Sequence, residues 1–305
     1  MYSVIISTKN NALTLRYVLT STLPLTEKYD IELIVVDGNS RDNTPNVIKD
    51  FTEKYGSLYV SLKVLKDPGI SLSYSRHEGF KNSKGDILIF LDGDTLLSTS
   101  FKYYLERELA SADLISPITS DCIPLDKATK VFNGFMKVLS YTQIDIVTKG
   151  ENIGDPSILS PARIYKREVL ERIKGYPVSS RFFGEDKIAT ALAVKLGFRY
   201  KASTRLKLLK IDEPGYRSYW RKHYRYALGI HRDNTILGRR ILRKYIVARR
   251  INHVNVIFPV FSIIYGFNAY KHMRSLRRAT DIALMKYFVD VAMFLGDLIG
   301  ALTGR

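Results

Sequence analysis

The stretch Asp86-Ile-Leu-Ile-Phe-Leu-Asp-Gly-Asp-Thr95 limits what this chain can become. Ile87 to Leu91 are apolar without a break, the pattern of a strand covered on both faces in a parallel sheet. That strand runs directly into Asp92-Gly93-Asp94, where a glycine between two carboxylates permits a tight turn. Ligands of open α/β sheets bind beyond the carboxyl ends of the strands. Asp92 and Asp94 therefore read as hard oxygen ligands for Mg²⁺ or Mn²⁺, ions that share their coordination with substrate phosphates. A solvated turn is the competing reading, because Asp and Gly are both common turn residues.

The preceding residues repeat a strand–helix alternation. Residues 3–7 and 31–36 read as strands, with a helix from about Ala12 to Ser21 between them. Asp37 and a polar loop lead to a helix over roughly 45–55, then a strand from Leu58 to Leu65 and a helix over 70–84. This order predicts a Rossmann-like, mostly parallel sheet flanked by helices. Thr8, Asn10, Asn11, Asp37 and Asp92 then share one edge, as a nucleotide site requires. No G-x-G-x-x-G fingerprint follows the first strand and no G-x-x-x-x-G-K-[ST] loop occurs, which disfavours a dehydrogenase or a P-loop NTPase. A metal on the acidic pair is left as the diphosphate anchor.

Val4-Ile-Ile-Ser-Thr-Lys-Asn10, Ile34-Val-Val-Asp-Gly-Asn-Ser-Arg-Asp-Asn-Thr44 and Lys84-Gly-Asp86 through Thr95 together resemble family 2 glycosyltransferases of the GT-A fold, over roughly the first 200 residues. The resemblance implies a nucleotide-sugar site of Thr8, Asn10, Asp37, Arg76, Asp92 and Asp94. In it Asp37 accepts from the base, Asp92 lies near the ribose and diphosphate, and Asp94 is the main metal ligand. Arg76 stands where the family shows Arg-Asn before a glycine, with His77 in place of the Asn. The alternative for Arg76 and His77 is a solvated helix face.

Arg181-Phe-Phe-Gly-Glu-Asp186 opens a helix to about Leu196. Acidic residues in a first turn complement the helix dipole, which is one account of Glu185 and Asp186. The resemblance implies the other, a catalytic pair with Asp186 as general base on an acceptor hydroxyl. Between Tyr216 and Ile230, Arg217, Arg221 and Arg225 recur every four residues beside Trp220 and Tyr224. The segment resembles the Gln-x-x-Arg-Trp motif of cellulose-synthase-like members, with Lys222 for Gln and Tyr226 for Trp. It places Trp220, Arg221, Lys222, Arg225 and Tyr226 at the acceptor and diphosphate. A basic amphipathic helix on lipid headgroups explains the same residues equally well.

Net charge is +17 and lies almost wholly in the last third: residues 1–198 are near balance, whereas residues 199–305 hold 22 Lys+Arg against 6 Asp+Glu. Such a segment suits a polyanion or an anionic membrane surface. Two apolar runs, Val254 to Phe267 and Tyr287 to Leu302, favour the membrane over nucleic acid, although each is short for a span. Gly296, Gly300 and Gly304 form a G-x-x-x-G ladder suited to helix packing and a homo-oligomer. The single cysteine excludes an internal disulfide, and with Gln143 as the lone glutamine it hints at a hot habitat. No signal-like segment precedes the first strand, so a cytoplasmic catalytic domain on the cell membrane is expected.

The expected organisation is a GT-A catalytic domain over 1–212, basic interfacial helices over 213–250 and hydrophobic membrane helices over 251–305. The resemblance implies an inverting, metal-dependent hexosyltransferase with a lipid-linked saccharide acceptor. GDP-mannose is the preferred donor, because small archaeal-looking members of the group often serve lipid-linked glycan assembly. A polyprenyl-phosphate sugar synthase using a GDP- or UDP-sugar is the runner-up. A basic nucleic-acid-binding protein is the alternative of another class, set back by the acidic edge, which repels phosphates without a metal.

Overall fold

Strands β1 (Tyr2–Thr8), β2 (Ile31–Asp37), β3 (Ser61–Lys66) and β4 (Ile87–Asp92) lie parallel, in the order β3-β2-β1-β4. The computed structural model describes residues 1–123, 162–178, 185–211, 217, 220–221, 223–225, 227 and 253–303. β1, β2 and β4 are unbroken apolar runs because both their faces are covered. Val4, Ile6, Leu33, Val35, Ile89 and Leu91 join one buried cluster, while Ile5, Ile34, Val36, Leu88 and Phe90 point into the other. The first cluster takes in Leu15, Val18 and Leu19 of α1 (Ala12–Thr26) and Ile48 and Phe51 of α2 (Thr44–Tyr55). Helix α3 (Leu72–Lys81) starts where Ser71 accepts a hydrogen bond from the Tyr74 amide. The third strand begins at Ser61, later than expected, because residues 56–58 form a 3₁₀ turn.

The other half of the eight-stranded sheet continues with β7 (Ile164–Lys166), β6 (Leu114–Ile123), β8 (Tyr200–Ile211) and β5 (Thr95–Leu97). β4 with β7, β7 with β6, and β5 with β8 pair antiparallel. Helices α4 (Phe101–Ala110), α5 (Arg167–Arg172) and α6 (Glu185–Lys195) complete this α/β layer arrangement.

The chain divides into two compact units. One comprises Met1–Ile118, Leu159–Ser180 and Gly184–Lys210, and the other Thr119–Ile158, Arg181–Phe183 and Ile211–Arg305. Within the second, the two C-terminal apolar runs are helical, in a turn at residues 253–257, α7 (Val260–Met273) and α8 (Leu276–Thr303). Among the described residues no helix is long and apolar enough to cross a membrane. The reason is visible in the sequence: α7 has 14 residues, and α8 has 28 but carries Lys286, Asp290 and Asp297.

Those polar groups are turned inward. Asn255 Nδ2 donates to Asp290 Oδ2 at 2.6 Å and to Ser262 Oγ at 2.7 Å. Lys286 Nζ reaches Asp290 Oδ1 at 2.5 Å, and His253 Nε2 lies 2.7 Å from Asp297. The apolar surface faces out instead, with Ile257, Phe258, Val260, Ile263 and Phe267 all exposed. Helices α7 and α8 pack tightly at Gly266, where an added Cβ would stand 3.0 Å from that of Ala283. Of the expected glycine ladder, Gly296 is buried in α8 and Gly304 lies outside the described residues. Of the expected basic interfacial helices over 213–250, only residues 217, 220–221, 223–225 and 227 are among the described residues.

Candidate active site

Register sets the site. Thr8 is paired with Asp37 across β1 and β2, and Ser7 with Asp92 across β1 and β4. Asp37 and Asp92 therefore flank the carboxyl end of β1, as the strand pattern requires. Asn10 adopts φ 54° just beyond it, donates its amide to Ser40 Oγ at 2.8 Å, and accepts from the Arg41 amide at 2.8 Å. Asp37 is almost fully buried, and its carboxylate accepts from Ser40 Oγ at 2.5 Å. A third carboxylate, Asp67, follows β3 in the same way. Its own amide donates to the Asp37 carbonyl at 2.9 Å, and its oxygens take the Gly69 amide and Ser75 hydroxyl. Gly69 sits at φ 70°, with Lys9 Nζ 3.3 Å from its carbonyl. Thr8, Lys9, Asn10, Asp37 and Asp67 thus converge at one edge of the sheet.

At Asp92-Gly93-Asp94 the chain passes so close to β1 that a Cβ on Gly93 would meet Thr8 Oγ1 at 2.7 Å. The two carboxylates then part company. Asp92 accepts from Arg76 Nη2 at 2.6 Å through Oδ1, and pairs with Arg163 Nη2 at 3.1 Å through Oδ2. Burial raises its affinity for a proton, but Arg163 and then Arg76 outweigh that and hold the carboxyl well below the usual range. Asp94 lies partly open beside Lys210 Nζ at 3.3 Å and accepts from Thr95 Oγ1 at 2.9 Å.

Arg76 is 1% exposed, so the solvated-face reading is overturned: α3 turns its guanidinium under the sheet edge, not outward. Besides Asp92 it donates to Glu185 Oε1 at 2.8 Å and to the Tyr176 hydroxyl at 3.2 Å, and stands 3.8 Å from Asp186. His77, next in the chain, is partly buried. Its Nδ1 lies 2.9 Å from the Tyr176 carbonyl, which ties α3 to the turn after α5.

Glu185 and Asp186 open α6, and Asp186 lies 3.8 Å from Arg163 as well. Three carboxylates, Asp92, Glu185 and Asp186, thus face two guanidinium groups. The excess negative charge is relieved at Glu185: burial first, then Asp186, push its carboxyl up to about 7 against the opposing pull of Arg76.

The same residues bear on a divalent ion. Among the described residues no group of three or more His, Cys, Asp or Glu could cage a metal. Both Asp92 oxygens are paired with arginines. Asp94 is the more open of the two carboxylates. That suits Mg²⁺ or Mn²⁺, which commonly bind through one or two carboxylates together with substrate phosphates.

The comparisons decide the family. The model described as Glycosyl transferase family 2 matches residues 3–173, more than half of the chain. The chain belongs to glycosyltransferase family 2. This glycosyltransferase is 21% identical over 301 residues to "Probable glycosyltransferase YdaM" of Bacillus subtilis (strain 168), covering 97% of the chain and 69% of that protein. Several other curated relatives are spanned over about half of their length or less. Its fold is similar to that of the mannosyltransferase PcManGT from Pyrobaculum calidifontis, solved with GDP-Man and Mn²⁺ (TM-score 0.55, 16% identity, 96% of this chain and 86% of that one). It is also similar to S. aureus TarS 1-349 in complex with UDP-GlcNAc (TM-score 0.52, 16% identity, 97% and 92%).

Within the glycosyltransferase, the site brings together Thr8, Asn10, Asp37, Arg76, Asp92, Asp94, Glu185 and Asp186, all in the first compact unit. Trp220, Arg221 and Arg225 belong to the second unit, in helical residues where the rings of Trp220 and Tyr224 stack at 5.4 Å. Lys222 and Tyr226 lie outside the described residues. Sequence reasoning missed Asp67, Arg163, Tyr176 and Lys210. Asp67 was within reach, since it follows its strand as Asp37 follows β2. The other three arrive from distant segments through antiparallel pairing or a turn, with no local signal.

Proposed function

We propose that this glycosyltransferase is an inverting, metal-dependent enzyme of the cell membrane's cytoplasmic face. It moves a sugar, mannose from GDP-mannose in our reading, to a saccharide carried on a dolichyl or polyprenyl diphosphate. One observation carries the catalytic part: Asp92 at the end of β4 and Asp186 at the start of α6 are held by the same two arginines. The donor-binding edge and the acidic residue suited to deprotonate an acceptor are thereby fixed to each other.

In this mechanism the edge formed by Thr8, Asn10, Asp37 and Asp67 receives the nucleoside. Asp94 would hold Mg²⁺ or Mn²⁺, which when bound neutralises charge on the diphosphate. Asp186 takes the acceptor hydroxyl proton as that oxygen bonds to the anomeric carbon, from the face opposite the diphosphate. The bond from that carbon to the diphosphate oxygen breaks, and the nucleoside diphosphate leaves with the electron pair. Oxocarbenium character in between is expected by analogy with glycoside hydrolysis.

GDP-Man with Mn²⁺ in the Pyrobaculum neighbour supports the donor and the ion, whereas UDP-GlcNAc in TarS supports a uridine donor. The lipid acceptor rests on the basic last third and on the outward apolar surface of α7. Incubating the protein with labelled GDP-mannose, UDP-glucose and UDP-GlcNAc, with Mn²⁺ or EDTA, tests donor and metal together. Supplying polyprenyl phosphate against a polyprenyl-diphosphate saccharide then separates the proposed acceptor from that of a polyprenyl-phosphate sugar synthase.

A further inference from the structure

The second unit contains a cavity of about 560 Å³, within the range of small-molecule sites. One wall is a single face of α8: Asp281, Leu284, Met285, Phe288 and Val291 follow helical spacing. Trp220 forms the facing wall, stacked on Tyr224. Asp281 supplies the lone carboxylate, and the other lining side chains are apolar apart from the Trp220 indole nitrogen and the Tyr287 hydroxyl. That hydroxyl donates to the Val256 carbonyl at 3.1 Å.

Positive charge sits beside this cavity. Arg217, Arg221 and Arg225 are exposed on the helical stretch that carries Trp220, and their spacing aligns them next to the aromatic row. Nearby, α7 presents Val260, Ile263 and Phe267 to the outside. An apolar slot edged by guanidinium groups matches an amphiphile with an aliphatic chain and a phosphate head. Asp281 disfavours an anion inside the slot, so the chain enters and the phosphate stays at the arginines.

We infer that the cavity between Trp220 and α8 binds the aliphatic chain of a lipid phosphate, with Arg217, Arg221 and Arg225 as headgroup contacts. This rests on the lipid-linked acceptor reading above and gives that acceptor a seat.

Trp220 is the chain's only tryptophan, so its emission reports the cavity directly. Titrating the full-length protein with farnesyl phosphate should give a saturable change in emission. Val291→Phe, which fills the slot, should weaken the response at least tenfold. Leu284→Asn, at a wall position already 62% exposed, should weaken it too if the first variant folds poorly. Arg221→Glu should weaken farnesyl phosphate but not farnesol. Equilibrium dialysis of labelled farnesyl phosphate in parallel separates the failures. Binding by dialysis with Trp220 silent, or a response untouched by Val291→Phe and Leu284→Asn, overturns the cavity assignment and leaves the acceptor reading standing. Equal responses to farnesol and farnesyl phosphate overturn the headgroup contacts. A saturable, variant-sensitive response without transfer to any lipid-linked acceptor would keep the cavity and remove the acceptor reading.

Discussion

Arg76 Nη2 donates to Asp92 Oδ1 at 2.6 Å, joining helix α3 to the end of the central strand. Because the same guanidinium also holds Glu185 and the Tyr176 hydroxyl, a single buried residue ties three separate segments together. Arg76→Met would leave Asp92 and Glu185 short of a partner in a buried site. Breaking a buried pair from one side costs about 3–5 kcal/mol. Thermal unfolding should show that loss, and Arg76→Lys should recover little of it, because one ammonium cannot reproduce the fork.

How much of this was legible beforehand follows from where the information lies. The apolar runs of β1, β2 and β4 announce strands buried on both faces, and the aspartates that end β2 and β4 announce the ligand edge. Helix α6 is legible from its acidic first turn. The antiparallel half is not, because β7 is three residues long and is defined by its partners, not by its own pattern. Arg76 is the instructive case. An arginine among Ser75, His77 and Glu78 has the composition of an exposed face, and only long-range pairing shows it to be interior. The buried Asn255–Asp290–Lys286 network is similar: charges inside an apolar run read as breaks in a span, whereas here they form a polar seam with the apolar side out.

Glu185 gives a pH signature. Its carboxyl, pushed up to about 7, favours the folded state in its neutral form. That contribution is complete below the ordinary carboxylate value of about 4.5 and is lost as pH rises through about 7. Glu185→Gln stays neutral and keeps an acceptor for Arg76. The stability of the variant relative to the parent should therefore improve between about pH 5 and 7.5 and level off above, as read by denaturant unfolding. Asp92 acts in the opposite sense: its contribution is present above the ordinary carboxylate range and is lost on strong acidification.

Removal of the proposed base should leave the fold alone. Asp186→Asn keeps the shape of the side chain but cannot accept a proton, and general-base assistance is worth roughly 10²–10⁴-fold. A drop of that size in kcat with KM for the donor little changed is expected under steady-state kinetics. Unchanged turnover would indicate an acceptor that arrives ionised, such as a phosphate.

Gly69 tests the nucleoside edge. An added methyl would stand 2.5 Å from the Gly38 carbonyl, at a backbone φ of 70°. The left-handed conformation alone costs a side chain roughly 1–2 kcal/mol. Gly69→Ala should displace the loops after β2 and β3, raising KM for the donor more than it lowers kcat.

The central claim is that a nucleoside diphosphate binds at the ends of β1, β2 and β4 through a divalent ion on Asp94. Calorimetric titration of GDP and UDP into the parent and into Asp94→Ala, each with Mn²⁺ and with EDTA, tests it most directly. The account predicts binding by the parent that is tight with Mn²⁺ and at least tenfold weaker in EDTA, and a variant that is weak in both. Equal affinity in all four conditions would contradict it.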